Sequence, residues 1–133
     1  MKYLLDTHVC LWAVSDKRKL SSVARKILED IEADILVNQI SLWEIAIKYR
    51  LGKFPEFNSS LTEFIETIAK AGFTVLPLKN EHLITYFSFP SFTDDHKDPF
   101  DRLLLVTAHV EKAGLITKDE KFNAYKNMMN ITW

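Results

Sequence analysis

The sequence has one cysteine and no long apolar run, and both features restrict the class of protein. Because Cys10 is the only cysteine among 133 residues, an intramolecular disulfide and a cysteine-based zinc site are excluded. The first apolar stretch ends at Asp6, too early for a signal peptide, and no run approaches the roughly 20 apolar residues that span a bilayer. We therefore expect a cytoplasmic protein without a membrane span.

An excess of charge of one sign is also lacking. The 17 lysines and arginines oppose 18 acidic residues, which gives a formal net charge of −1. The chain therefore has no global positive field of the kind that drives tight nonspecific binding of nucleic acid. RNA as a transient substrate stays compatible with this balance, because metal ions in an acidic pocket reverse the local sign.

The amino-acid composition is that of a folded domain, with 47% hydrophobic and 26% charged residues. We expect a single domain over residues 1–133, with one core. Short apolar runs alternate with segments of helical periodicity. That alternation predicts an α/β fold in which helices cover both faces of a mostly parallel sheet.

The expected elements follow from this pattern. Strands are predicted at residues 2–5, 35–37, 73–76 and 115–117, with a possible edge strand at 130–133. Helices are predicted at residues 7–14, 21–31, 41–51, 61–70, 80–87 and 98–112, with a helical turn at 122–125 and a long loop, of the length that suggests function, at 88–97. The expected N-caps are Ser21 or Ser22, Ser41, Asn80 and Asp98, and the expected helix stops are Gly52, Gly72 and Gly114.

Four acidic residues are predicted to meet at one edge of this sheet. Asp6 ends the first strand, and Asp119 follows the last strong strand by two residues. Glu44 and Asp101 are expected in the first turns of helices that start on the same edge. Ligands of such sheets bind beyond the carboxyl ends of the strands. The sequence therefore predicts a cleft lined by four carboxylates.

Carboxylates in one cleft repel one another, which raises some of their pKa values or requires a cation. Carboxylate oxygens suit hard ions such as Mg²⁺ or Mn²⁺. Such ions activate water and stabilise the charge that builds on a phosphoryl group, and nearby helix N-termini offer N–H groups to phosphate oxygens. The acidic cleft thus indicates metal-dependent phosphoryl chemistry.

Each acid also has an ordinary structural explanation when taken alone. Glu44 completes a capping box with Ser41, in which its side chain bonds back to the Ser41 N–H. Asp6 is explained as a turn residue, and Asp119 as an acid at the start of a helical turn. The joint placement of the acids, rather than any one of them, favours the functional interpretation.

The two acids before the apolar run of residues 103–108 differ in how easily they are explained. Asp98 suits the N-cap position before Pro99. Asp101 lies inside the first turn, beside the face that must be buried, and therefore needs a partner there.

Several further polar residues are secondary candidates. Thr117 could hydrogen-bond a water on the metal, although a threonine in a strand needs no special reason. Arg102 has two interpretations, a contact with phosphate or an ion pair with neighbouring carboxylates such as Asp98. His8 and His96 could touch phosphate or metal, but a histidine near a helix start is more often structural.

Four segments carry a resemblance to a known family. Residues 4–8, 41–45, 96–104 and 115–122 together resemble the PIN-domain ribonucleases, most closely the short bacterial VapC-type toxins of toxin–antitoxin pairs. The likeness runs over essentially the whole chain, and the motifs stand in the right order. It implies a three-layer α/β/α sandwich of Rossmann-like type.

The resemblance also implies an activity and a set of residues. It implies an endoribonuclease dependent on Mg²⁺ or Mn²⁺, with Asp6, Glu44, Asp101 and Asp119 as catalytic and metal-binding residues. Relatives also carry an acid at the place of Asp98, so either Asp98 or Asp101 is the more direct ligand, and we favour Asp101. The implied reaction is in-line attack of a metal-activated water on RNA, which leaves a 5′-phosphate and a 3′-hydroxyl.

The implied partners are a second copy of the chain, in a homodimer, and a small antitoxin protein that lies across the cleft. An aromatic and basic stripe offers a surface for the antitoxin, although core packing explains half of it equally well. The stripe consists of Trp43, Ile47, Arg50, Leu51, Phe54 and Phe57.

Two other functions stay open on the sequence alone. A phosphatase or phosphotransferase would use Asp6 as its nucleophile, although the usual second aspartate two residues later is replaced by His8. A domain that binds RNA or a partner without cutting is the other, and the presence of all four acids argues against it.

Overall fold

The computed structural model describes residues 1–55, 57–92 and 98–133. Within these residues five parallel strands form one sheet in the order β3-β2-β1-β4-β5. They are β1 (Lys2–Leu5), β2 (Asp34–Asn38), β3 (Thr74–Leu76), β4 (Gly114–Ile116) and β5 (Ile131–Thr132). The predicted α/β fold with a parallel sheet is confirmed, and the edge strand near the end of the chain is part of it.

Helices connect the strands. They are α1 (Thr7–Ser15), α2 (Ser22–Glu29), α3 (Gln39–Arg50), α4 (Leu61–Lys70), α5 (Asn80–Ser88) and α6 (Pro99–Glu111). Short 3₁₀ helices lie at Lys17–Lys19 and Glu120–Tyr125, and the second of them contains the helical turn that the sequence predicts. None of the helices in the described ranges is long and apolar enough to cross a membrane.

Both faces of the sheet are buried, which explains why the strands read as continuous apolar runs. Leu5, Val37 and Ile116 pack against α1, α2, α3 and α4 on one side. Leu4, Leu36 and Leu115 pack on the other side, against α6 and the second 3₁₀ helix. This arrangement confirms the three-layer α/β/α sandwich.

The core also absorbs residues for which the sequence left two interpretations. Cys10 is fully buried in the cluster between the sheet and helices α1–α4, as expected of a small core residue. Phe54 and Phe57 are buried in the same cluster, so they cannot contribute to an exposed stripe for a partner. Trp43, Arg50 and Leu51 are exposed, so this half of the expected stripe lies at the surface.

The cap of α3 differs from the expectation. Ser41 is not the N-cap, because the helix begins at Gln39 and Asn38 holds its first turn. The Asn38 side chain accepts a hydrogen bond from the Ile40 N–H at 2.9 Å and donates one to the Thr107 hydroxyl at 3.0 Å. The amide oxygen of Asn38 therefore caps α3, while its amide nitrogen ties that helix to α6.

Glycine positions are partly as expected. Gly52 and Gly72 follow α3 and α4 with φ of 68° and 83°, and so end those helices. Gly114 was wrongly expected to end α6, which instead ends at Glu111 with Lys112 as its C-cap at a φ of 55°. Gly114 lies in β4, where an added Cβ would stand 3.1 Å from the Tyr3 ring, so a larger residue there would have to shift that ring.

Smaller differences concern boundaries. α2 ends at Glu29 and not at residue 31, and α5 has Lys79, not Asn80, at its N-cap position. The predicted loop at 88–97 begins one residue later, since Ser88 belongs to α5. The part of that loop at residues 93–97, which includes His96, lies outside the described residues.

Candidate active site

A cavity of about 420 Å³ opens at the carboxyl edge of the sheet. It lies beside the ends of β1 and β4, from which the chain winds in opposite directions to build the two halves of the sheet. Its lining comprises Asp6, His8, Val9, Trp12, Glu44, Lys48, Asp98, Asp101, Lys118 and Asp119. The structure thus brings the four predicted acids together, with Asp98 beside them.

Asp6 and Asp119 are linked through Thr117. The Asp6 N–H donates to the Ile116 carbonyl at 3.0 Å, which extends the pairing of β1 with β4 up to the cavity. The Thr117 hydroxyl then donates to Asp6 Oδ2 at 2.6 Å and accepts from the Asp119 N–H at 3.1 Å. Burial raises the pKa of Asp6, and the bond from Thr117 opposes that shift. Thr117 therefore orients Asp6 directly.

Glu44 is held at both of its carboxylate oxygens. Oε1 accepts from the Thr7 hydroxyl at 2.7 Å, and Oε2 accepts from the Lys48 ammonium at 2.7 Å. The expected capping box with Ser41 is wrong, because α3 begins at Gln39 and Glu44 consequently lies in the second turn. Side chains, and not the start of the helix, fix this acid in the cavity.

Asp98 and Asp101 both lie at the start of α6, but their surroundings differ. Asp98 is the N-cap of α6, and its Oδ1 accepts from the N–H groups of Phe100 and Asp101 at 2.8 and 3.3 Å. Burial raises the pKa of Asp101 to about 7, and the nearby charges of Asp98, Asp6, Asp119 and Glu44 act in the same direction. Asp101 therefore experiences both burial and the charges of the other four carboxylates that line the cavity.

The remaining wall of the cavity is aromatic and basic. The His8 ring lies 5.8 Å from the Trp12 ring and 5.3 Å from the Phe54 ring. The Lys118 ammonium stands 5.9 Å from the centre of the Trp12 ring. A second cavity of about 480 Å³ shares Lys118 and Asp119 with the first, and Trp133 is part of its lining. The two cavities therefore adjoin each other at Lys118 and Asp119.

Arg102 has partners other than the two that the sequence suggested. Its guanidinium donates to the carbonyls of Tyr86 and Phe89 at 2.7 and 2.6 Å and to the Ser91 hydroxyl at 3.0 Å. It also lies 4.7 Å from the centre of the Tyr86 ring. The last carbonyls of a helix lack partners within the helix, and a planar guanidinium suits them. Arg102 therefore fastens the end of α5 to α6.

The donor set of the main cavity suits a hard divalent ion. Within the described part of the chain, no three His, Cys, Asp or Glu side chains are already placed so that they could hold a metal ion together. The five lining carboxylates nevertheless present oxygen ligands only, which is the chemistry that Mg²⁺ and Mn²⁺ prefer. Burial and then the charges of four neighbouring carboxylates raise the pKa of Asp101, and a cation would relieve the second of these causes.

The family model of the PIN domain matches residues 3–127. The chain belongs to the PIN-domain family. The resemblance that four short motifs indicated is thereby confirmed over nearly the whole length of the chain.

Two relatives of this PIN domain come from Mycobacterium tuberculosis (strain ATCC 25618 / H37Rv). Ribonuclease VapC22 is 27% identical over 132 residues, which cover 97% of this chain and 95% of that protein. Ribonuclease VapC16 is 36% identical over 58 residues, and this match spans 44% of this chain and 41% of that protein.

Solved structures share the fold of this PIN domain. VapBC2 from Rickettsia felis, solved bound to a DNA fragment from its promoter, superposes with a TM-score of 0.71 at 18% identity, covering 100% of this chain and 99% of that chain. At that level of identity the likeness concerns the fold.

Sequence reasoning missed four polar residues around the acids of this PIN domain. They are Thr7, Asn38, Ser41 as a buried hydroxyl, and Lys48. The spacing of four between Glu44 and Lys48 was a usable signal, since such pairs face each other on a helix. Thr7 gave no such signal, because its contact with Glu44 joins residues 37 positions apart. Among the described residues Ser41 Oγ is buried without a hydrogen-bond partner.

Proposed function

We propose that this PIN domain is an endoribonuclease dependent on Mg²⁺ or Mn²⁺, and the toxin of a toxin–antitoxin pair. The observation that carries the proposal is the gathering of Asp6, Glu44, Asp101 and Asp119 around one cavity. The reaction class is supported by the similarity to ribonuclease VapC22 along almost the full chain.

The four acids would hold the ion, and their neighbours keep them in position. A bound divalent ion supplies Lewis-acid activation of water and neutralises charge on the scissile phosphate. Thr117 fixes the orientation of Asp6, while Thr7 holds one oxygen of Glu44. We favour Asp101 over Asp98 as the more direct ligand, because Asp98 Oδ1 already caps α6.

RNA is the proposed substrate, and the two adjoining cavities suit a single strand. Proteins that bind single strands combine cations that follow the phosphates with aromatic rings on which bases stack. Lys118 and Lys126 line the second cavity together with Trp133. Because the chain has a net charge of −1, we expect RNA to bind transiently and only in the presence of the divalent ion.

The proposed partners are an antitoxin and a second copy of the chain. Exposed Trp43, Arg50 and Leu51 offer an apolar and basic face for the antitoxin on α3 and the turn that follows. Light scattering on the purified protein tests the homodimer, since a dimer predicts about twice the chain mass of 15.5 kDa.

The activity is tested by Mg²⁺-dependent cleavage of a structured RNA by wild type and by Asp6→Asn. We expect wild type to cut the RNA, EDTA to stop it, and Asp6→Asn to lose about 100-fold or more, since a ligand of the ion is lost. Glu111→Gln, which removes a carboxylate charge at the other end of α6, is the matched control and should keep activity within about threefold. Equal cleavage by wild type and Asp6→Asn would overturn the proposal.

The products and the fate of Asp6 give a second readout. The proposal expects fragments that carry a 5′-phosphate and a 3′-hydroxyl. A phosphate trapped covalently on Asp6 would instead assign the protein to the aspartyl-phosphate enzymes.

A further inference from the structure

Two lysines stand among the described residues that line the acidic cavity, and their surroundings differ. The Lys48 ammonium donates to Glu44 Oε2 at 2.7 Å. The Lys118 ammonium lies over the Trp12 ring, 5.9 Å from its centre. Only the first of these two contacts places a cation directly on one of the acids proposed to bind metal.

The contact between Lys48 and Glu44 differs from an ordinary surface ion pair. The Glu44 side chain is only 10% exposed and that of Lys48 33% exposed, and the ammonium lies 5.4 Å from the centre of the Phe54 ring. The Thr7 hydroxyl holds the other oxygen of Glu44. The ammonium is therefore fixed in place beside a carboxylate that is itself immobilised.

The charge of Lys48 acts on more than one acid. The carboxylates of Asp98 and Asp101 are close enough to interact with its ammonium, along with Glu44. Lys48 thus offsets part of the negative charge of a cavity that is lined by five carboxylates. A divalent ion that enters the same cavity interacts with the same acids and is repelled by the ammonium.

We propose that Lys48 is the internal counter-ion of the acidic cavity, which positions Glu44 before metal binds and sets the affinity for the divalent ion. The inference rests on the proposed function, in that it takes this cavity as the metal site. Removing the charge should have two opposite effects. The protein without metal becomes less stable, because the acids lose their cation, and the ion binds more tightly, because the repulsion is gone.

The test compares Lys48→Met with Lys48→Arg, which keeps the charge, and with Lys70→Met. Lys70 is exposed near the end of α4, at the opposite edge of the sheet, so its replacement makes the same change in net charge away from the cavity. The dissociation constant for Mn²⁺ is measured by titration of the intact protein without RNA. Thermal unfolding in EDTA is measured on the same samples.

We expect Lys48→Met to lower the Mn²⁺ dissociation constant about tenfold, from the repulsion of a single and a double charge a few ångströms apart in a partly solvated site. Its melting temperature in EDTA should fall, and Mn²⁺ should restore it. Lys48→Arg and Lys70→Met should stay within about twofold of wild type in Mn²⁺ affinity. Lys48→Gln, which keeps a hydrogen-bond donor without charge, should behave as Lys48→Met and replaces it if that variant does not fold.

An unchanged or raised dissociation constant in Lys48→Met and Lys48→Gln would overturn the inference, as would an equal effect of Lys70→Met. Because Mn²⁺ binding is read without RNA, failure of the inference is distinct from failure of the proposed function. A wild type that cleaves RNA while Lys48→Met keeps its Mn²⁺ affinity refutes only the role of Lys48. A wild type that binds Mn²⁺ in a Lys48-dependent manner but cleaves no RNA refutes only the nuclease.

Discussion

The two ends of α6 carry acids in opposite electrostatic situations. At the first turn, burial and four neighbouring carboxylates raise the pKa of Asp101 to about 7. In the last turn, burial also acts to raise the pKa of Glu111, but the hydrogen bonds from His82 and Lys79 outweigh it and lower that pKa. At the start of α6 the surroundings therefore disfavour the charged form of Asp101, whereas at its end they stabilise the charged form of Glu111.

The helix dipole alone predicts the reverse. It favours negative charge at the N-terminus and disfavours it at the C-terminus, by about 0.3–1 kcal/mol in either case, which is less than one pKa unit. The pKa of Asp101 moves from 3.8 to about 7 against that preference. Burial and neighbouring side chains thus dominate the dipole at both ends. The crowded end is the candidate functional site, and the paired end serves stability.

The paired end is built on a buried histidine. His82 is fully buried, and its Nδ1 accepts from the Lys79 N–H at 3.1 Å. The neutral ring therefore carries its hydrogen on Nε2, which donates to Glu111 Oε2 at 2.8 Å. The Lys79 ammonium also donates to Glu111 Oε2, at 3.1 Å. These bonds join the start of α5 to the end of α6.

The largest expected effect separates the two acids at the crowded end. Asp101→Asn should lower RNA cleavage about 100-fold or more, because a proposed ligand is lost. Asp98→Asn should lower it less than about tenfold and leave stability unchanged, since asparagine caps helices as well as aspartate does. Initial rates at saturating Mg²⁺ measure both. A larger loss in Asp98→Asn would reverse the assignment of the more direct ligand.

The paired end should show its effect in stability. His82→Ala leaves the Lys79 N–H and Glu111 without their buried partner, and should lower the free energy of unfolding by about 2–3 kcal/mol. Urea denaturation measures the change. RNA cleavage below the melting temperature should stay within about threefold of wild type. A loss of activity without a loss of stability would contradict the division between the two ends of α6.

The pH dependence of stability should differ in sign between the two ends. Native Asp101 keeps its proton up to about pH 7, whereas the unfolded chain releases it near 3.8. The native state therefore binds more protons in this range, and its contribution to stability is lost as pH rises through about 7. Glu111, with its lowered pKa, contributes stability above the unfolded value that is lost as pH falls.

This difference is measured by chemical denaturation in EDTA between pH 5 and pH 8. Relative to wild type, Asp101→Asn should gain stability as pH rises from 5 to about 7, because native wild type keeps a proton there that its unfolded chain has already released. Above pH 7 the difference between the two proteins should level off. Glu111→Gln should be less stable than wild type throughout this range. Parallel pH profiles of wild type and Asp101→Asn would show that the acids do not interact as described.

The smallest expected effect concerns Arg102, which stands beside Asp101 in the chain but serves the contact between α5 and α6. Arg102→Lys keeps the charge but cannot bond the Tyr86 and Phe89 carbonyls and the Ser91 hydroxyl together. We expect about 1 kcal/mol less stability in urea denaturation and RNA affinity within about threefold of wild type. A tenfold weaker affinity for RNA would contradict this role and would support the contact between Arg102 and phosphate that the sequence suggested.

Much of the fold was predictable because its signals are local. An apolar run followed by Asp6 reveals both a buried strand and an acid at its carboxyl end, and Thr117 with Asp119 repeats this pattern at β4. The gathering of the acids followed from parallel strand order, which places these ends at one edge. Two local patterns and one topological rule were therefore enough to predict a shared acidic cavity.

The rest depends on contacts between distant residues. Asn38 and Ser41 are both good cap residues. Asn38 is the N-cap of α3, and it also bonds Thr107, 69 positions away. His82 and Glu111 are 29 positions apart. In each case either residue alone suits several partners, so the pairing exists only once the helices have packed.

The central claim is that the carboxyl edge gathers acids around a divalent ion. The most direct measurement is the anomalous scattering of Mn²⁺ soaked into crystals of the protein. The account predicts a peak in the acidic cavity, at about 2 Å from oxygens of the acids that line it. A peak elsewhere, or an empty cavity at a Mn²⁺ concentration that supports RNA cleavage, would contradict it.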